Sequence, residues 1–162
     1  MGLFDKKKVS VDDMAMQMMV AAIDVVGKLS GFDDVDDTHA MAVSVGYFYG
    51  FLRLHLNGIT KLDTANTIID KSITNIENAT KDKDAFKDFG YKVRTMANNA
   101  AGNMQYAMKE TKNPFMGMAV FYLKDLYNSA TIDISKVDVA EKNMRDIYGK
   151  VSALMKNIKI AK

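Results

Sequence analysis

Two histidines, His39 and His55, are the side chains best suited to exchange a proton near neutral pH, and there is no cysteine. Zero cysteine removes a thiolate nucleophile, a thiolate zinc site, a thiolate-held iron–sulfur cluster and a disulfide scaffold together. A hydrolytic triad needs nucleophile, base and orienting group to converge. Within one straight helix the two histidines would stand about 24 Å apart at the helical rise, too far to serve one site. The only spacing that resembles a ligand set is Asp33, Asp36 and His39, at successive steps of three. On a helical turn these stack oxygen and nitrogen donors on one face, which suits a divalent cation. Aspartates also crowd helix starts, where they cap the chain and offset the dipole, and that is the preferred reading. The calcium-loop pattern fails, with Thr38 where glycine is required and Ser44 where glutamate is required. Nor is there a Glu-x-x-His pair of the kind that holds a di-iron centre. The expectation is no catalytic residue, no metal and no cofactor.

Thirteen methionines are many for this length, and Met14-Ala15-Met16-Gln17-Met18-Met19 concentrates them. Thioethers bind Cu(I), but Met14 and Met18 share one helical face while Met16 and Met19 point elsewhere. Flexible core filling, or an adaptable binding surface, accounts for them more simply. Gly46 and Gly50 sit inside an apolar helical pattern and lack the Lys-Ser or Lys-Thr ending of a phosphate loop. Lys142, Arg145, Lys150, Lys156, Lys159 and Lys162 make the last helix basic, yet acids alternate with the first of them and interleaved exposed aromatics are lacking, so nucleic acid is not an expected partner. Phe115–Leu123 has no basic flank rich enough for a membrane surface, and no apolar run reaches the roughly 18 residues that span a bilayer, so no membrane contact is expected. The start, Met1 to Lys8, fits neither a secretory leader nor a myristoylation signal, which favours the cytoplasm.

The elements that would position these residues are helices. Proline occurs once, and apolar residues recur at helical spacing through nearly the whole chain. With 162 residues, 48% apolar and 26% charged, one core is the default. The predicted fold is all-α: a single-domain bundle of about six helices over 10–162, after a flexible N-terminal segment over 1–9. No boundary between domains stands out; the polar stretch at 80–84 is the clearest linker and the candidate sub-boundary, which would let the halves form separate hairpins. Caps are predicted at Ser10 with Asp13, at Thr60 with Asp63, at Asn113 before Pro114, and at Ser135 with Asp138. Asn57-Gly58 should close the second helix with a left-handed glycine. Val137, Ala140, Met144, Ile147, Val151, Leu154 and Ile158 follow steps of three and four, a coiled-coil-like heptad seam along the last helix. Charge is uneven: residues 1–37 carry eight Asp against four Lys, and residues 136–162 carry seven basic against three acidic residues.

Gly46-Tyr47-Phe48-Tyr49-Gly50-Phe51, followed by Leu62-Asp63 and Ala85-Phe86-Lys87-Asp88, resembles the acid-stress chaperones of the HdeA type over part of the chain. That family is periplasmic and clipped by a disulfide, whereas this chain has no cysteine, so the resemblance does not displace the cytoplasmic expectation.

The functional expectation rests on apolar excess. The first, second and fifth helices are apolar around most of their circumference, more than six short helices can readily hide. This points to a non-enzymatic protein-interaction module, either a homo-oligomer or an adaptor that binds a protein partner. The interface candidates are Ala42, Gly46, Gly50, Phe115, Met118, Tyr122, Met144, Val151, Leu154 and Ile158. The alternative is a bundle enclosing a Met/Tyr/Phe-lined cavity that takes a small apolar ligand or cofactor.

Overall fold

The computed structural model describes residues 7–29, 31–156 and 158–160. Six α-helices form a single-domain bundle: α1 (Val11–Val26), α2 (Asp37–Asn57), α3 (Leu62–Thr80), α4 (Phe89–Glu110), α5 (Pro114–Tyr127) and α6 (Val137–Lys156), with single 3-10 turns at Asp84–Phe86 and Ile134–Lys136. Two three-residue strands, β1 (Lys7–Val9) and β2 (Ile158–Ile160), pair in parallel with Lys7 opposite Ile158 and Val9 opposite Ile160. The reading of 1–9 as a flexible segment is therefore corrected at residues 7–9, whose backbone is bonded to β2 and whose Val9 side chain is buried. Residues 1–6 lie outside those described.

Two helix starts use the predicted side chains, and α2 starts on an aspartate of the acidic loop. Ser10 accepts from the Asp13 amide at 3.1 Å, Asn113 from the Met116 amide at 3.3 Å, and Asp36 from the His39 amide at 3.0 Å, each satisfying an amide left free by the first helical turn. Two starts differ. Lys61, not Thr60, precedes α3 and makes no side-chain cap, and Leu62 at the first helical position is exposed. Ahead of α6, the Asp133 carboxylate takes the Ser135 amide at 3.0 Å and its hydroxyl at 2.6 Å, so Ser135 belongs to a 3-10 turn rather than to the cap. At the other ends, Gly58 closes α2 in a right-handed conformation (φ −82°), and the left-handed closure falls instead on Asn128 after α5 (φ 46°).

Helix α2 is the axis of the molecule. It contacts α1, α3, α4, α5 and α6, and every side chain from Ala42 to Leu52 is buried. The outer helices are more polar and turn one stripe each inward, as Ile68, Ile69, Ile73 and Ile76 do on α3. Ala42, Gly46 and Gly50 form a notch along α2 that receives α4 at close range. A Cβ built on Gly50 would lie 2.6 Å from Ala100 Cβ and 3.0 Å from both the Ala97 carbonyl oxygen and the Ala101 amide nitrogen. On Gly46 it would lie 3.1 Å from the Val93 carbonyl oxygen. Small residues on α4, Ala97, Ala100 and Ala101, complete the fit. This α2–α4 contact crosses the 80–84 stretch, so the two halves share one core.

On α6 the buried positions are Ala140, Asn143, Met144, Ile147, Val151 and Met155. The heptad seam thus faces α5, α2 and α1 of the same chain. Its last predicted members diverge: Leu154 is half-buried, while Ile158 has left the helix for β2. The uneven charge also finds its use within the chain. Asp24 on α1 meets Lys150 on α6 at 3.0 Å, and Asp34 meets Lys136 at 2.8 Å, tying the acidic beginning to the basic end.

Candidate binding surface

The residues that suggested chemistry do not converge. Asp36 is engaged as the α2 cap, bonded to the His39 amide and to the Thr38 hydroxyl at 2.6 Å. The His39 ring turns away to the Asp125 carbonyl oxygen on α5, with Nε2 at 3.0 Å, while Asp33 stays in the exposed loop. No group of three His, Asp or Glu placed to hold a metal occurs among the described residues. His55 sits on the opposite stretch of α2, its ring centroid 5.2 Å from that of Tyr148 and its Nε2 3.4 Å from the Ser152 hydroxyl. Burial holds its pKa below the ordinary histidine value.

The buried polar groups of the core are paired. Tyr47 donates to the Asp125 carboxylate at 2.5 Å, Ser44 and Tyr122 share a bond of 2.7 Å, and Tyr49 and Ser72 share one of 2.5 Å. Burial pushes the Tyr47 and Tyr49 hydroxyls well above the ordinary phenol range and Tyr122 up to about 12, so all three keep their protons. Burial likewise raises the Asp125 carboxyl, opposed by the hydrogen bond from Tyr47. These groups specify how α2 sits against α3 and α5.

Most of the predicted interface is enclosed by its own chain. Ala42, Gly46, Gly50, Met118, Tyr122, Met144 and Val151 are buried, and the notch expected to admit another chain holds α4. Phe115 is half-buried beneath the Arg145 guanidinium at 4.7 Å and edge-on to Tyr148. The side chain of Ile158 lies outside the described residues. The aromatic residues expected to line a cavity instead fill the centre: Tyr47, Phe48, Tyr49 and Phe51 have no exposed surface, and Tyr47 packs edge-on against Tyr122 with centroids 5.3 Å apart. The apolar excess of α2 is thus absorbed by its axial position.

Helix α1 is different. Met14, Met18, Ala22 and Val25 face the core, which leaves Met16, Val20 and Ile23 on the outer face at 47%, 57% and 54% exposure. Their four-then-three spacing makes one stripe. Beside it runs a groove of about 720 Å³ floored by Val9, Ala21 and Leu154, with Lys8, Asp13, Asp24 and Lys150 on its edges. Of the predicted residues, only Leu154 contributes here. The stripe went unpredicted because a helix apolar all round does not reveal its phase. The signal was the set Asp13, Gln17, Asp24 and Lys28, which marks the solvent side and has Val20 in its midst.

Comparison with protein-family models, curated proteins and solved structures finds no match for this chain. The run Gly46–Phe51, which carries the resemblance to the acid-stress chaperones, is the packed centre of α2.

Proposed function

We propose that this chain works by binding protein rather than by chemistry, with the outer face of α1 as the contact and a second copy of the chain as its occupant. The observation that carries the reading is the exposed Met16–Val20–Ile23 stripe bordering an apolar-floored groove. The stripe is self-complementary. Two α1 helices laid antiparallel with Val20 near the two-fold axis bring Met16 of each against Ile23 of the other. The same arrangement sets the acidic first turn, Asp12 and Asp13, against the helix end that Lys28 follows. Methionine suits such a contact because its thioether adapts to an imperfect surface.

A contact confined to one helix face and its groove is small, below about 1,200 Å² in total, so association is expected at about micromolar Kd or weaker. The reading takes the chain to work in the cytoplasm; no helix among the described residues is long and apolar enough to cross a membrane. Sedimentation velocity over about 10 µM to 1 mM tests the proposal, the range being set by the expected affinity. The native chain should move toward dimer, and Val20→Lys should remain monomeric with a melting temperature close to the native one, since more than half of Val20 is exposed. A native chain that stays monomeric throughout, or a dimer indifferent to Val20→Lys, overturns it.

A further inference from the structure

Away from α1, where α2, α3 and α4 meet, a pocket of about 200 Å³ is lined by Arg53, Asn66, Asp70, Arg94 and Asn98 against the apolar wall of Ile69 and Ile73. The chain has only three arginines beside nineteen lysines, and two of the three converge here. Arg94 is neutralised: its Nη1 donates to Glu77 at 2.6 Å and its Nη2 to Asp70 at 2.9 Å. Arg53 is not. Its Nη1 donates to the uncharged Asn98 amide oxygen at 2.5 Å, its buried Nε finds no acceptor, and no carboxylate of the described residues pairs with it.

A guanidinium does not lose its charge in proteins, so Arg53 is a cation whose hydrogen-bond partner among the described residues is an amide. The two acids nearby are already committed to Arg94. The Arg53 Nε is closed off from solvent, so what this side chain offers the cleft is its outer Nη, whose N–H groups can donate to a carboxylate oxygen. Asn98, whose amide oxygen Arg53 already holds, and Asn66 both line this pocket and bring amide N–H donors to it. We propose that this pocket binds a small carboxylic acid anion, held by the outer Nη of Arg53 and flanked by the two asparagines. At about 30 Å³ per water, the volume equals about seven waters, room for a short-chain acid such as acetate or succinate and for little more. The site is separate from the α1 face, and neither proposal depends on the other.

Arginine Nε–H cross-peaks in a 15N spectrum give a direct readout, because three arginines yield three signals and Arg53→Lys identifies one by its loss. Titrating the full chain with succinate should shift the Arg53 signal saturably, at about millimolar half-saturation, a weak affinity on the usual scale. The Arg145 signal, on the far surface of α6, should move only with ionic strength. Arg53→Lys should abolish saturation at the Asn66 and Asn98 side-chain amides. Asn98→Asp, which gives Arg53 an internal carboxylate, should weaken succinate at least about tenfold and serves if the lysine variant does not fold. Linear shifts of equal size at Arg53 and Arg145, or saturation by inorganic phosphate without saturation by succinate, would overturn the proposal.

Discussion

The closeness of α2 to α4 can be measured by adding one methyl group in two places. At Gly50 the new Cβ would stand 2.6 Å from Ala100 Cβ and 3.0 Å from two backbone atoms of α4. Carbon atoms rest at about 3.5–4.0 Å, so α4 must retreat by about 1 Å, and no flexible side-chain end is available to yield in its place. Overpacking costs about 1–3 kcal/mol, and the obstruction by backbone places Gly50→Ala toward the upper end. Alanine's better helix propensity returns about 0.8–1 kcal/mol, leaving a net destabilisation of about 2 kcal/mol. At about 2–4 °C per kcal/mol for a chain of this size, the melting temperature should fall by about 4–8 °C. Gly102, exposed on α4 with nothing within 4 Å of its would-be Cβ, supplies the opposite case. There the propensity gain acts alone, so Gly102→Ala should be stabilising by about 0.5–1 kcal/mol and raise the melting temperature by about 1–4 °C. Calorimetry on both variants and the double mutant suffices. Equal signs at the two positions would refute the account of the α2–α4 contact, whatever their size.

Two further outcomes follow from the buried polar pairs. Tyr49→Phe strands the fully buried Ser72 hydroxyl and should cost about 1–3 kcal/mol, whereas adding Ser72→Ala should recover much of the loss; a double mutant as unstable as the sum of the singles would deny the pairing. Asp125 allows a pH test, because burial raises its carboxyl above the ordinary value of 3.8. The folded chain then holds that proton more tightly than the unfolded chain, so the contribution of Asp125 is fully present at low pH and declines as pH rises through 3.8 toward the folded value. Asp24, Asp34 and Asp36 shift the other way, so only the difference from a variant isolates Asp125. Asp125→Asn keeps an acceptor for Tyr47 without the charge, and its melting temperature relative to the native chain should climb as pH rises above 3.8. A difference that stays flat across that range would show that Asp125 is not buried as described.

Much of the architecture was legible in the sequence because periodicity and capping are local signals. Ser10 and Asn113 start helices at short range, and the inward stripe of α3 is visible from the spacing of its isoleucines. What escaped was relational. Ala42, Gly46 and Gly50 announce that something approaches closely, but not whether it is a second chain or α4 forty-odd residues further on. The β1–β2 ladder joins segments too short and too distant for any local pattern to betray. The candidate surface was hidden for a related reason: an all-apolar helix such as α1 carries no phase of its own, so which side it leaves outward is decided by its neighbours. Arg53 offered no signal in isolation, being one basic residue in an apolar run, and became notable only when folding placed it beside Arg94 and Asn98.

The position of α2 sets how this chain tolerates change. Substitutions on the outer turns of α3 or α6 alter one boundary with water, and the rest of the molecule need not respond. A substitution between Ala42 and Leu52 is met on several sides at once, so one altered side chain there disturbs two or more neighbouring helices together. Divergence should therefore accumulate on the periphery and spare this inner rod, leaving the stretch from Ala42 to Leu52 as the durable mark by which distant kin of the chain could be found.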